Sequence, residues 1–205
     1  MVKQGLREQK KQETRRTIAN IATGLFFRYG FDNVTVADIA EAAGVSKMTV
    51  FNYFPRKEDL FLDRHADRLR DLEMAIRERD PAESVISAMR RYHQELLAAQ
   101  HPLSGAIEGA RPFFQVVRSS PALISRTYEH QHEIRDMLAD VLAEEMADRA
   151  PAELFAALLT ATIYAIFDRA VNRILEGEDA ADVRREQTDF IDRAFDLLEH
   201  GVAGI

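Results

Sequence analysis

Asn52 and Met48 stand four residues apart in the run KMTVFNYF, so on a helix turning about 100° per residue they share one face, with Thr49 and Phe51 at its flanks. An asparagine amide sets a donor beside an acceptor and can pair bidentately with adenine at N6 and N7; a methionine offers only apolar contact, best matched by a thymine methyl. Thr49 can serve a base or a phosphate. Catalytic chemistry has no comparable constellation. The six histidines (His65, His93, His101, His130, His132, His200) nowhere bracket an acid at i, i+4, and His130 and His132 point their rings about 200° apart. The chain has no GxSxG elbow, phosphate-cradling glycine loop or dinucleotide fingerprint, and its carboxylates belong to solvated helix faces. A non-enzyme without cofactor or metal is expected. The alternatives are a helical enzyme, or a partner-binding scaffold, which would lack salt-sensitive DNA affinity.

The elements that must carry this face are two short helices. Val36, Ile39, Ala40 and Ala43 recur at i, i+3, i+4, i+7, with Thr35 as N-cap and Asp38 three residues on as the return arm of a capping box. Gly44 follows the last periodic residue and permits the left-handed conformation that turns the chain sharply. Ser46 restarts it, and a second helix from Lys47 to about Phe54 packs Val50 and Phe54 on the first. This is a helix-turn-helix.

The pattern TxxDIAxxAGVSKxTxxxYFxxKEDLF within residues 14–62 closely resembles the DNA-binding signature of the tetracycline-repressor (TetR) family of bacterial regulators. Met48 stands where that family often has glycine, and Phe51 where it often has tyrosine, which removes a hydroxyl able to reach phosphate. The resemblance implies contacts to DNA from Thr35, Ser46, Lys47, Met48, Thr49, Phe51, Asn52, Tyr53 and Lys57, with Thr35, Lys47, Tyr53 and Lys57 on phosphate. It also implies an all-helical second domain that senses a small molecule and releases a double-stranded DNA operator.

Composition agrees with such an architecture. The chain of 205 residues is 46% hydrophobic with only 9 Gly and 6 Pro, and its long runs are rich in strong helix formers, so the expected fold is all-α with about nine helices. The absence of cysteine excludes a disulfide framework and fits a reducing cytoplasm. The charged start MVKQGLREQKKQETRR reads as neither signal peptide nor anchor, and no apolar run approaches ~20 uncharged residues, the length of a membrane span. The net charge of −7 is unevenly shared: residues 1–57 carry ten Lys and Arg against five acids, the remainder 17 against 29. One basic end and one acidic end are the footprint of a protein that approaches phosphate with a single face.

In order, residues 1–13 are expected as a mobile basic arm, 14–80 as the helix-turn-helix domain with a long connecting helix, and 81–205 as an effector-binding and dimerisation domain. The first helix should start near Thr14 and bury Ile18, Ala22, Leu25 and Tyr29; the connecting helix should run from KEDLF to about Arg79. Asp80-Pro81 should cap a helix ending near Gln100, with others over about 103–118, 121–149 and from Ala150-Pro151 onward. The run PAELFAALLTATIYAIFDRAVNRIL is apolar nearly all round and must be covered on more than one side. Its small residues Ala156, Ala157, Ala161 and Ala165, with the amphipathic helix that follows, point to a two-fold homodimer through the last two helices. Polar residues on otherwise apolar helices, namely His93, Arg111, Gln115, Tyr128, Gln131, Tyr164 and Asp168, with Arg169 and Asn172, are the candidates for the effector pocket.

Overall fold

A computed structural model describes residues 2–201, with side chains from residue 9 onward. Met1 and residues 202–205, the ends of the expected arm and of the expected second domain, lie outside the described residues. Among those described there are ten α-helices, one short 3-10 turn and no strand. They fall into two compact units: residues up to His65 together with Val116–Arg126, and Ala66–Gln115 together with the residues from Thr127 onward.

The first unit is built on α1 (Val2–Tyr29), α2 (Val36–Ala42), α3 (Lys47–Tyr53) and α4 (Lys57–Phe61). Helix α1 begins at Val2 rather than near Thr14, so the arm expected over residues 1–13 is helical from Val2. The run QGLREQKKQETRR has no proline and is rich in Gln, Glu, Lys and Arg, whose propensity extends a helix without an apolar face. Ile18, Ala19, Ala22 and Phe26 form its buried stripe; Tyr29 is exposed. Phe26 meets Phe31 at 4.9 Å between centroids and Phe61 edge-on at 5.6 Å. Val34, Ile39, Ala40, Val50, Phe54 and Leu60 complete this core.

The connecting helix is not continuous. It breaks after Phe61 and resumes as α5 (His65–Arg77). Arg15 Nη2 donates to the Asp63 carbonyl at 2.7 Å, and this contact 48 residues away in sequence holds the break. Residues near the turn between Ser119 and Pro121 join the first unit too. The buried Ser120 hydroxyl donates to Asp32 Oδ1 at 3.3 Å, Leu123 is fully buried, and Arg126 Nε lies 2.8 Å from Asp59 Oδ1 in an ion pair largely shielded from solvent.

The second unit contains α5, α6 (Val85–Ala98), α9 (Arg149–Glu176) and α10 (Ala180–His200), with most of α7 (Arg111–Ser119) and α8 (Pro121–Ala143) distributed between the units at the residues given above. Asp80-Pro81 makes a turn instead of a cap: Asp80 Oδ1 accepts from the Ala82 amide at 2.8 Å, and α6 begins later, capped by Ser84. The helix expected from Leu103 is a 3-10 turn at Pro102–Ser104 and then loop up to Arg111. At Gly105, φ is +77° and a β-carbon would stand 3.2 Å from the Phe167 carbonyl oxygen, so close approach to α9 forces the chain out of helix there. Helix α8 ends at Ala143, where Glu144 and Glu145 turn to Arg77 and Arg79, and Asp148 caps α9.

Helix α9 is long and apolar enough to cross a membrane by length and composition, but it carries a core row of Ala152, Ala156, Leu159, Ile163, Ile166 and Ala170 that is buried within the unit. Its opposite row, Leu154, Ala157, Leu158, Ala161 and Ala165, is exposed. Val183, Gln187, Ile191 and Phe195 are the buried row of α10.

Candidate nucleic-acid interface and interior cavity

The local sequence positions the outward face of α3 with little help from afar. Thr35 Oγ1 accepts from the Asp38 amide at 3.2 Å while Asp38 Oδ2 accepts from the Thr35 amide at 2.8 Å and from its hydroxyl at 2.7 Å. These bonds from the Thr35 backbone, and then from its side chain, hold the Asp38 carboxyl below its ordinary value. The Thr35 hydroxyl proton is therefore engaged inside the cap, and a phosphate could take it only by breaking that bond. Gly44 turns with φ at +65°, and Ser46 caps α3 by accepting from the Thr49 amide at 3.0 Å, with its hydroxyl 2.8 Å from that of Thr49.

Val50 is fully buried and Phe54 almost so, while Met48 is 69% exposed and Phe51, Asn52 and Lys47 are exposed as well. Thr49 and Tyr53 are half-buried at the flanks. Lys57, the first residue of α4, is half-buried with Nζ 4.3 Å from the Phe31 ring centroid. Arg15, counted in the basic end, stacks over Phe54 at 4.7 Å and is used by the fold. Lys10, Lys11, Arg16, Lys47 and Arg56 remain exposed.

In the second unit a small enclosed cavity is lined by Arg68, His93, Leu97, Leu103, Ser104, Ile166, Phe167, Gln187 and Ile191. Its free volume is about 10 Å³, room for one water. His93 is buried, and its Nδ1 lies 2.8 Å from the Met89 carbonyl, so Nδ1 carries the proton and donates. Burial pushes its pKa down to about 4, leaving it neutral near pH 7. Gln187 is wholly buried; its Nε2 donates to the Ile166 carbonyl at 2.6 Å and its Oε1 accepts from Arg169 Nη1 at 2.7 Å. A wider concavity of about 500 Å³ between α6 and α10, lined by Gln94, Leu97, Ala98, Arg184 and Thr188 among others, is open to solvent, so the enclosed one is the better candidate to desolvate a ligand.

Of the sequence candidates for a pocket, His93 lines this cavity, and Tyr164, outside the lining, packs its ring on Arg68, which is part of it. Arg111, Gln115, Tyr128 and Asp168 are exposed, Gln131 is half-buried, and none of the five lines it. Arg169 acts through Gln187, and Asn172 is exposed with Asp168 on the outer row of α9. Sequence reasoning missed Arg68, Ser104 and Gln187. Two of them were visible as misfits: Arg68 falls one turn before the buried Leu72 and Ile76, and Gln187 sits midway between Val183 and Ile191.

A capped helix pair that presents an uncovered face of polar and apolar side chains on a basic unit, joined to a larger helical unit, defines a helix-turn-helix DNA-binding regulator. Residues 18–63 match the family model of the bacterial regulatory proteins of the tetR family, and residues 81–203 that of the MftR C-terminal domain. The chain belongs to the TetR family of transcriptional regulators, a family of DNA-binding proteins rather than enzymes. It is 25% identical over 198 residues to the HTH-type transcriptional repressor AcnR of Corynebacterium diphtheriae, covering 92% of this chain and 90% of that one. It is 27% identical over 144 residues to the HTH-type transcriptional regulator TcmR of Streptomyces glaucescens, covering 68% of this chain but only 63% of TcmR. Two solved structures share the fold: the SmeT–triclosan complex (TM-score 0.55, 18% identity, 89% of this chain and 91% of that one) and the fatty acid degradation regulator FadR from Bacillus halodurans (0.52, 19%, 92% and 96%).

Proposed function

We propose that the protein is a cytoplasmic repressor that binds a palindromic operator as a homodimer and lets go when a small molecule fills the second unit. The observation that carries this reading is the outward face of α3, where Lys47, Met48, Phe51 and Asn52 stand exposed above a buried Val50 and Phe54. Met48 and Asn52 address base edges, Thr49 either a base or phosphate, and Ser46, Lys47, Tyr53 and Lys57 the backbone, which fixes register without reading sequence. Phe51 adds apolar contact, and Thr35 contributes by holding α2.

Dimerisation is supported by the exposed row on α9, with Leu154 64% and Leu158 48% exposed, and by Leu197 on α10. A two-fold bundle of α9 and α10 from each protomer covers these residues and spaces two reading heads for a palindrome. SmeT, a neighbour in fold, is seen in complex with triclosan. An effector here acts only by binding more tightly to the conformation that cannot hold operator. The functional division lies near residue 80, with reading before it and sensing and dimerisation after it, except that Arg68 of α5 lines the cavity of the second unit.

Selection of purified protein on random duplex DNA tests the reading. An enriched sequence with two inverted half-sites is expected; binding without sequence preference at physiological salt would rule out the repressor.

A further inference from the structure

Arg68 is set apart from the other arginines of α5. Arg70 pairs with Asp67 at 3.0 Å and Arg77 with Glu144 at 2.6 Å. Arg68, half-buried in the helix's inward register, has no carboxylate within ion-pair distance among the described residues. Two aromatic rings one turn apart on α9 hold it instead: its Cζ is 5.1 Å from the Tyr164 centroid and 5.0 Å from that of Phe167. Beside it the Tyr92 hydroxyl is buried with no hydrogen-bond partner, next to the neutral His93 ring at 5.1 Å. Asp71, an acid whose charge reaches Tyr92, is paired with Arg70 at 3.3 Å. The remaining wall of the cavity is mostly apolar: Leu97, Leu103, Ile166, Phe167 and Ile191.

A half-buried cation with no carboxylate at ion-pair distance, beside an unused hydroxyl donor and above an apolar wall, is half of a binding site for an anion with an apolar body. The geometry points to an effector that is an amphiphile with a carboxylate head, and to Arg68 as its counter-ion, with Tyr92 as a second donor to the same head group. The inference rests on the effector-released reading above and names the chemistry of its site. Because the free volume holds only one water, the ligand must displace side chains. Pairing with a carboxylate draws the guanidinium off Tyr164 and Phe167 and opens the wall between them. Arg68 lies three residues into α5, the helix that follows α4 of the reading unit in the chain, so its displacement is a change that helix can transmit.

Three probes with one apolar body separate the possibilities: octanoate, 1-octanol and octylammonium, titrated calorimetrically into the full-length protein and into Arg68→Met, Arg68→Gln and Arg68→Lys, each checked for wild-type helicity and melting. Octanoate should bind wild type about 10- to 100-fold more tightly than 1-octanol, as expected for a charge-assisted bond. That preference should vanish in Arg68→Met and Arg68→Gln and survive in part in Arg68→Lys. Should Arg68→Met fail to fold, the glutamine and lysine variants carry the comparison. A preference for octanoate that persists without the arginine, tighter binding of 1-octanol or octylammonium, or binding of none of the three overturns the assignment. An operator-release screen over neutral and cationic compounds separates this failure from that of the broader reading: release by one of them leaves an effector-responsive repressor without an anion site, and release by nothing removes the effector itself.

Discussion

On α3 the polar side chains Lys47 and Asn52 face solvent from a helix seven residues long, and the hydroxyls of Ser46 and Thr49 satisfy each other and the cap. In the second unit His93, Ser104 and Gln187 are buried and bonded within the fold, to the Met89 carbonyl, the Ala106 amide and the Ile166 carbonyl. The two regions therefore answer differently to substitution. The outer polar residues of α3 contribute little to folding and can be exchanged to probe recognition, while the buried polar residues cannot be removed without leaving a partner unsatisfied.

The largest expected effect breaks the support beneath the reading face. Phe54→Ala removes a ring that is almost wholly buried under α3 and should cost about 3–5 kcal/mol. Hydrogen exchange should show α2 and α3 losing protection while α9 and α10 keep theirs. Equal loss in both units would mean that they melt together and that the comparison has no energetic counterpart.

Next comes the titration of His93. Its folded pKa, pushed down by burial to about 4, is below the ordinary 6.5, so the unfolded chain takes up the proton first as pH falls. Stability from this group is complete above about pH 6.5, declines toward pH 4 and is flat below, a loss of up to about 3 kcal/mol. Chemical denaturation over that range should show the decline, and His93→Leu should remove that part of it. An unchanged acid limb in the variant would show that His93 is not the proton acceptor.

How much of this was legible in the sequence follows the range of the interactions. The pair α2–α3 was legible because its determinants are local: Thr35 with Asp38, Ser46 with Thr49, and Gly44 at positive φ all act within four residues. The interruptions of the longer helices were not. The break at 62–64 depends on Arg15, and the loop after Ser104 on Phe167, contacts that no periodicity contains. The cavity was half legible, since His93 continues the row of Met89 and Leu97, whereas Arg68 shows in the sequence only as a misfit on the row of Leu72 and Ile76, and its use follows from Tyr164 and Phe167 placed against it.

A smaller effect sharpens the role of Thr35. Thr35→Ala deletes the cap and should cost about 1 kcal/mol of stability, and Thr35→Ser should restore it. If Thr35→Ala weakens operator binding severalfold with no change in melting, the hydroxyl leaves Asp38 for a phosphate in the complex.

The most direct test of the reading face compares Asn52→Ala with Lys57→Ala on a selected operator and its single-base variants across a salt series. Lys57→Ala should weaken binding to every sequence alike and reduce the slope of log K against log salt by about one unit. Asn52→Ala should leave the slope nearly unchanged and relax preference at one symmetric pair of base positions, by ~1–3 kcal/mol of discrimination. A uniform loss of affinity in Asn52→Ala, with base preference intact, would contradict the account: the asparagine would then be a phosphate ligand and α3 would lie in the groove on a different face.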